Sequence, residues 1–218
     1  GGELRKGKPQ SCSILRSKFD RWFSGRAEER GAMILAKTLV TDLVRENGKV
    51  CGVVAGGDEL RADVVIACDG VLSLLPEKAG LRAPGLSRDY AVGIKEVIRL
   101  EPGVISDRFT VGDGEGAAHL FAGDITRGLF GGGFLYTNRD SLSLGLVVSI
   151  GDMAKEAAAG DAPALFDAFK ARPEVGPLIR GGQTVEYGAH VIPEGGYRAL
   201  SGLCGDGLLV AGDSAGFA

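Results

Sequence analysis

The chain has 218 residues, of which 44% are hydrophobic and 24% are charged, and its formal net charge is -3. A chain of this size and composition forms one or two globular domains, and the slight acidic excess excludes the basic surface that nucleic-acid-binding proteins need. No apolar run approaches the ~18 residues of a membrane-spanning helix, and the polar N-terminus lacks the apolar core of a secretory signal.

The first predicted element is an amphipathic helix over residues 13–31, with Ser13 as a candidate N-cap and Gly31 at its end. Its apolar residues recur at spacings of three and four, which is the helical period. They are Leu15, Phe19, Trp22, Phe23 and Ala27. A short strand is predicted to follow at residues 33–35.

A hairpin comes next, because the strand-like runs 38–45 and 49–55 meet at Asn47-Gly48, a strong two-residue turn signal. A polar strand then enters the continuous apolar run 64–67, a pattern typical of a strand that is buried on both faces. This run stops at Asp69-Gly70, and a short helix is predicted over residues 71–80.

From about residue 84 the pattern changes to alternating strands at short spacing, which predicts an antiparallel sheet. The predicted strands cover residues 91–100, 108–111, 118–122, 129–137 and 141–150. A helix over 162–172 and a strand over 184–192 follow. The last apolar strand, residues 208–212, again runs into a Gly-Asp pair.

Two strand ends carry the chemistry of a nucleotide site. Asp69 and Gly70 follow one buried strand, and Gly212 and Asp213 follow another. A carboxylate accepts hydrogen bonds from hydroxyl groups, and a glycine lets a ligand approach the backbone. Small residues from Ser214 to Gly216 are predicted to open a helix whose free N–H groups could face an anion.

Glycine accounts for 36 residues, about twice the usual share of ~7%, and the run from Gly131 to Gly133 stands out. Either a flat ligand lies against this strand or its neighbours pack unusually close. The four cysteines form no CxxC pair, so we exclude a metal centre and expect buried thiols. His119 and His190 have no nucleophile partner and are interpreted as structural.

Five stretches resemble the FixC family, which is related to electron-transfer-flavoprotein:quinone oxidoreductase. They are LRSKFDRWF (15–23), DELRADVVIACDG (58–70), GGGFLYTNRDSLSLGLVVSI (131–150), EYGAHVIPEGGY (186–197) and LLVAGDSAGF (208–217). The resemblance implies an α/β (α+β) fold, in which an antiparallel-sheet substrate domain is inserted into a partial glutathione-reductase-like FAD-binding domain. Residues 11–83 and 205–218 would form the FAD-binding domain, and residues 84–204 the substrate or quinone-side domain.

The resemblance also implies the activity, an FAD-dependent oxidoreductase that passes electrons from partner electron-transfer flavoprotein subunits to quinone and is linked by its family name to nitrogen fixation. A ferredoxin-like small protein would be a further partner. The expected location is the cytoplasm, with a peripheral place at the inner membrane. By motif, the FAD-contacting residues would be Arg16, Asp69, Gly70, Gly212, Asp213 and Gly216, and the quinone-side residues Phe130, Gly131 and Gly132.

One feature of the superfamily has no match near the N-terminus, the GxGxxG fingerprint that holds the ADP pyrophosphate. The chain is therefore interpreted as an internal fragment, without the first βαβ unit and the C-terminal helices, that binds FAD weakly on its own. The alternatives are a geranylgeranyl-reductase-like or hydroxylase-like flavoenzyme, or a non-catalytic module. The strings GGGFLYTN and AHVIPEGGY favour FixC.

Overall fold

The computed structural model describes residues 12–85, 87–156 and 160–217. The helices are α1 (Arg16–Glu28), α2 (Leu75–Lys78), α3 (Pro102–Phe109), α4 (Ile150–Lys155), α5 (Ala162–Lys170) and α6 (Gly176–Ile179). The strands are β1 (Val40–Glu46), β2 (Lys49–Ala55), β3 (Asp58–Arg61), β4 (Val65–Ala67), β5 (Tyr90–Arg99), β6 (Ala118–Phe121), β7 (Gly131–Thr137), β8 (Ser141–Ser149), β9 (Gln183–Pro193), β10 (Cys204–Gly205) and β11 (Leu208–Val210). In these ranges, every helix is too short or too polar to cross a membrane.

The first helix is confirmed, but it starts later than predicted, at Arg16. The Ser13 hydroxyl does not cap it and instead donates to the Thr137 carbonyl, 2.8 Å away, in β7. The apolar face of α1 stays open to solvent, since Trp22 and Phe23 are each 59% exposed. The predicted strand at residues 33–35 is wrong, because this exposed segment pairs with no strand among the described residues.

The first sheet is an antiparallel meander of β1, β2 and β3. Its hairpin turn is confirmed at Asn47-Gly48, where both residues have positive φ, 50° and 86°. Two positive φ angles match the twist of the flanking strands and favour asparagine and glycine.

The second sheet has the order β10-β11-β4. Strands β4 and β11 pair in parallel, with Leu208 opposite Val65 and Val210 opposite Ala67, so the two apolar strands share one sheet as predicted. Burial of β4 on both faces was a wrong expectation, because β4 lies at the sheet edge and Ile66 is 59% exposed. The helix predicted over 71–80 is shortened to the single turn of α2, which contains Pro76 at its start.

The third sheet is antiparallel throughout, with the order β6-β7-β8-β5-β9. Helices α3 and α5 cover one face through a large apolar core that includes Phe109, Leu144 and Phe166. The strand predicted at 108–111 is wrong, since it falls on the end of α3. Ile105 and Phe109, four residues apart, both point into the core, and Thr110 ends the helix with φ 52°.

A buried ion pair ties α5 to the third sheet. The Glu96 carboxylate is 7% exposed and accepts hydrogen bonds from Lys170 Nζ at 2.9 Å and Thr184 Oγ1 at 3.1 Å. Desolvation alone would lower the pKa of Lys170, but the hydrogen bonds to Glu96 and Asp167 outweigh it and raise that pKa above its ordinary value. The carboxylate therefore depends on Lys170 for its charge compensation.

Lys170→Met should lower the free energy of unfolding by about 2 kcal/mol, because it leaves a buried carboxylate without its cation. Lys155→Met is the matched control, since it removes an exposed pair with Asp152 and should change stability by less than about 0.5 kcal/mol. Urea denaturation measures both. An equal loss in the two variants would contradict the assigned role of Lys170.

Candidate cofactor site

The parallel pairing of β4 and β11 brings two sequence-predicted segments together. Both strands run in the same direction, so the Asp69-Gly70 and Gly212-Asp213 segments both follow the carboxyl ends of their strands and leave the sheet on the same side. The backbone N–H of Ala211 extends the pairing by donating to the Ala67 carbonyl at 3.0 Å. Five of the six predicted FAD-contacting residues thus lie on two adjacent strand ends.

The side chain of Ser214 joins these segments, and sequence reasoning missed it. Its oxygen is fully buried and accepts a hydrogen bond from the Gly70 N–H at 2.8 Å. The same oxygen lies 3.0 Å from Asp69 Oδ1 and 3.1 Å from the Gly70 carbonyl, so its single proton can be donated to either. The sequence pattern predicts only a helix start facing an anion at the small residues after Asp213.

Arg82 is a second residue that the sequence did not reveal. Its side chain is 10% exposed, and its guanidinium donates to the carbonyls of Ser73, Val71 and Ser214. It also pairs with Glu77 at 3.3 Å. One cation therefore holds the loop after Gly70 against the turn that follows Gly212, and no local motif signals this long-range contact.

Three predicted glycines adopt backbone conformations that side chains rarely tolerate. The φ angles of Gly70, Gly212 and Gly216 are 88°, 62° and 86°. A Cβ at Gly70 or Gly212 would meet nothing within 4 Å, whereas one at Gly216 would lie 3.1 Å from the Ala199 carbonyl oxygen. The first two positions leave open space above the backbone, and the third serves packing.

The predicted helix after Asp213 appears as a four-residue 3-10 turn, Gly212–Ala215. The N–H groups of Gly216 and Phe217 donate within this turn, to the carbonyls of Asp213 and Gly212 at 3.0 and 3.3 Å. Of the predicted anion-facing N–H groups, that of Gly216 is therefore already used within the turn. An anion contact by the N–H groups of Ser214 and Ala215 stays a prediction. The exposed Asp213 side chain has no hydrogen-bond partner among the described residues and can accept from a ligand.

An apolar cavity of about 520 Å³ lies beside the carboxyl end of β4. Side chains of β4 and of the first sheet line it, including Val53, Leu60 and Ile66, and it reaches Asp69. The site thus offers apolar walls next to carboxylate oxygens and open backbone. These are features that a large, partly aromatic cofactor with hydroxyl groups requires, so the residues present fit such a group.

Arg16 is not brought to this site. It lies on α1 with its side chain 73% exposed, and its Nε pairs with Asp20 Oδ1 at 2.7 Å. Within the described part of the chain it contacts neither Asp69 nor Asp213. The resemblance implies that Arg16 lies near the flavin. In the structure, Arg16 instead forms an exposed ion pair with Asp20, one helical turn further along α1.

The glycine-rich strand belongs to the third sheet. A Cβ at Gly131 would collide with the Val147 carbonyl oxygen, and one at Gly132 would lie 2.8 Å from the carbonyl oxygen of Phe121. Close strand packing accounts for both glycines, which favours the second explanation offered by the sequence. Phe130, next to them, is 69% exposed, and its N–H donates to Asp152 Oδ2 at 3.1 Å.

Two minor expectations need correction. None of the four cysteines is buried, since Cys12, Cys68 and Cys204 are exposed and Cys51 is half-buried. The described residues contain no group of side chains that could hold a metal. His119 and His190 are both exposed and make no hydrogen bond within the described ranges, so neither is the satisfied structural histidine that was expected. His119 does pack near Phe109, with ring centroids 5.4 Å apart.

Two family models match the chain, one described as an FAD-binding domain over residues 2–109 and one as the ubiquinone-binding region of ETF-QO over residues 90–192. Protein FixC of Escherichia coli K12 is 49% identical over 215 residues, which is 99% of this chain and 50% of that protein. A probable electron transfer flavoprotein-quinone oxidoreductase of the same strain, YdiS, is 48% identical over 207 residues, 95% of this chain and 48% of its own length.

Among solved structures, a geranylgeranyl bacteriochlorophyll reductase-like protein from Thermoplasma acidophilum superposes with a TM-score of 0.71 at 20% identity. The match covers 95% of this chain and 50% of that protein. At this identity the likeness shows the fold alone. The chain spans about half the length of the curated relatives it matches.

Ser214→Ala should expose the Gly70 amide to solvent and lower stability by about 1–2 kcal/mol, because it removes the hydroxyl that joins the two strand ends. Ser201→Ala is a matched control, since the buried Ser201 hydroxyl has no hydrogen-bond partner among the described residues. That variant should be as stable as the parent or slightly more stable. Amide hydrogen exchange at Gly70 and urea denaturation measure the difference, and unchanged protection in Ser214→Ala would contradict the role of Ser214.

Proposed function

Because the chain is a relative of the FixC proteins over 99% of its length, we propose that the protein carrying it is an FAD-dependent oxidoreductase that passes electrons from an electron-transfer flavoprotein to quinone. One observation carries the proposal. A match to an FAD-binding model and a match to the ubiquinone-binding model of ETF-QO lie side by side on one chain. The relative YdiS is named for the same reaction.

The FAD would be held where the two strand ends meet. Asp213 has a free carboxylate for ligand hydroxyls, and Gly70 and Gly212 give access to the backbone. Ser214 and Arg82 hold these segments together, since the Ser214 hydroxyl accepts from the Gly70 N–H and Arg82 donates to the Ser214 carbonyl. When bound, the flavin supplies the redox chemistry, taking up electrons from the donor and releasing them to the acceptor. The residues of the chain bind and orient it.

The division into domains is part of the same proposal. Residues 11–83 and 205–218 would form part of a glutathione-reductase-like FAD-binding domain, and residues 84–204 an inserted substrate domain. Two separate apolar clusters support this division, one around Leu43, Ala67 and Leu208 and the other beneath the third sheet. Folded units normally each have their own core.

The partners are inferred from the relatives. The name of YdiS supports an electron-transfer flavoprotein as donor, and the family model over residues 90–192 supports quinone as acceptor. A ferredoxin-like small protein, a cytoplasmic location and a peripheral place at the inner membrane rest on the family resemblance alone. The geranylgeranyl-reductase-like alternative has only fold similarity at 20% identity behind it.

The full-length protein that carries this chain, incubated with FAD and freed of excess ligand, should show the visible absorption bands of bound flavin. After anaerobic photoreduction, addition of ubiquinone-1 should restore the oxidised spectrum, whereas geranylgeraniol, an isoprenoid alkene without a quinone ring, should not. A colourless protein would contradict FAD binding. A reduced flavin that ubiquinone-1 does not reoxidise would contradict the quinone-linked reaction.

Asp213→Ala should weaken FAD binding more than Asp69→Ala, by about tenfold to a hundredfold, since a hydrogen bond to a charged group is lost. The Asp213 carboxylate is free for a ligand, whereas Asp69 Oδ1 already lies 3.0 Å from the Ser214 hydroxyl. Flavin fluorescence titration gives both dissociation constants. Equal affinities in the two variants would contradict this ranking.

A further inference from the structure

The third sheet has one short and one long edge strand. Strand β6 at one edge has four residues, Ala118–Phe121, whereas β9 at the opposite edge has eleven, Gln183–Pro193. Among the described residues, no strand pairs with the outer side of β9, and the side chains of Val185 and Tyr187 are 44% and 56% exposed. Natural proteins usually shorten or cover an edge strand, because its unpaired N–H and C=O groups can pair with another chain. The long, uncovered edge of β9 therefore indicates a docking surface.

The middle of β9 carries two charged or polar side chains around a glycine. The register of β9 with β5 is unbroken from Glu186 to Pro193, so Glu186, Gly188 and His190 alternate along the strand and share one face. Neither Glu186 nor His190 makes a hydrogen bond or an ion pair with any described residue. His190 Nε2 lies 3.8 Å from the position that a Cβ of Gly188 would take, so the imidazole leans toward that glycine. A carboxylate and an imidazole thus flank a residue without a side chain.

This arrangement is complementary to a copy of itself. When two β9 strands pair antiparallel around a two-fold axis at Gly188, each residue lies opposite the one that is equally far from Gly188 on the other side. Glu186 then faces His190 of the partner subunit, and symmetry forms this pair twice. An imidazole can donate to a carboxylate whether it is neutral or protonated. On the axis, Gly188 meets its own copy at a Cα separation of about 4.5–5.5 Å, where the absence of a side chain prevents a clash.

The neighbouring registers lack this match. An axis at Tyr187 would set Glu186 against Gly188 and would bring the two tyrosine rings against each other. An axis at Ala189 would set Glu186 against the apolar Ile192. Only the axis at Gly188, of these three, pairs the acid with the imidazole, and it also sets the large Tyr187 opposite the small Ala189. The charge pattern of β9 therefore favours one register.

We propose that the outer edge of β9 binds a second copy of this chain, through antiparallel pairing of the two β9 strands around Gly188 and two Glu186–His190 pairs between the copies. The two five-stranded sheets would then form one continuous sheet. Charge complementarity decides for a second copy as the occupant, since symmetry supplies the matching imidazole and carboxylate at once. The inference goes beyond the electron-transfer reaction proposed above and does not depend on it.

The test is analytical ultracentrifugation of the full-length protein that carries this chain, which should show a dimer that dissociates on dilution. Glu186→His sets imidazoles against each other and His190→Glu sets carboxylates against each other, so each should raise the dissociation constant of the dimer about tenfold or more. The double exchange, Glu186→His with His190→Glu, forms both acid–imidazole pairs in reverse order and should restore an affinity near that of the parent. Glu156→His, at an exposed position at the end of α4, is the matched control and should leave the dimer unchanged.

Melting curves establish that each variant is folded before it is measured. A parent that sediments as a monomer at every concentration would overturn the inference, and so would a dimer that neither single variant weakens. A dimer that the single variants weaken but the double exchange does not restore would contradict the axis at Gly188. Weakening in both single variants, recovery in the double exchange and no change in Glu156→His would support the inference. The FAD and quinone measurements that test the proposed function are separate from all of these outcomes.

Discussion

The parallel contact between β4 and β11 is the constraint on which the rest of the candidate site depends. The two strands are separated by about 140 residues of intervening chain, yet Ser214 bonds directly to Gly70. Forming a contact at this sequence separation costs conformational entropy, because the two ends of a long intervening chain must be brought together. The buried hydroxyl of Ser214 and the guanidinium of Arg82 make the closure specific, because the first accepts from the Gly70 N–H and the second donates to the Ser214 carbonyl across this long sequence separation.

The third sheet shows how one strand can carry charged side chains on both of its faces. Glu96 and Lys95 are adjacent in β5, so the alternation of a strand sends their side chains to opposite faces. Glu96 is neutralised inside the core by Lys170, which holds α5 in place. Lys95 points to the other face of the sheet and is half-buried there. The ion pair therefore fixes the position of β5 against α5.

The sequence was informative where the signal is local. The Asn47-Gly48 hairpin, the α1 helix and the alternating strands of the third sheet follow from turn chemistry and periodicity, and the structure contains them. The strand predicted at 108–111 failed because a short apolar run fits either period, and the core contact of Phe109 decides for a helix. Ser214 and Arg82 could not be recognised from the sequence, because each acquires its role only from strand pairing that brings distant segments together.

Glycine illustrates the same limit within one residue type. Gly70 and Gly212 have open space where a side chain would stand, whereas Gly131 and Gly132 have a neighbouring carbonyl oxygen there. The sequence alone does not distinguish the two pairs, because all four glycines lie in or next to a strand. What separates them is the atom that a Cβ would meet, which depends on the neighbouring strand. A glycine beside open space can admit a ligand, whereas at a glycine against a carbonyl oxygen the place of a side chain is already occupied by the fold.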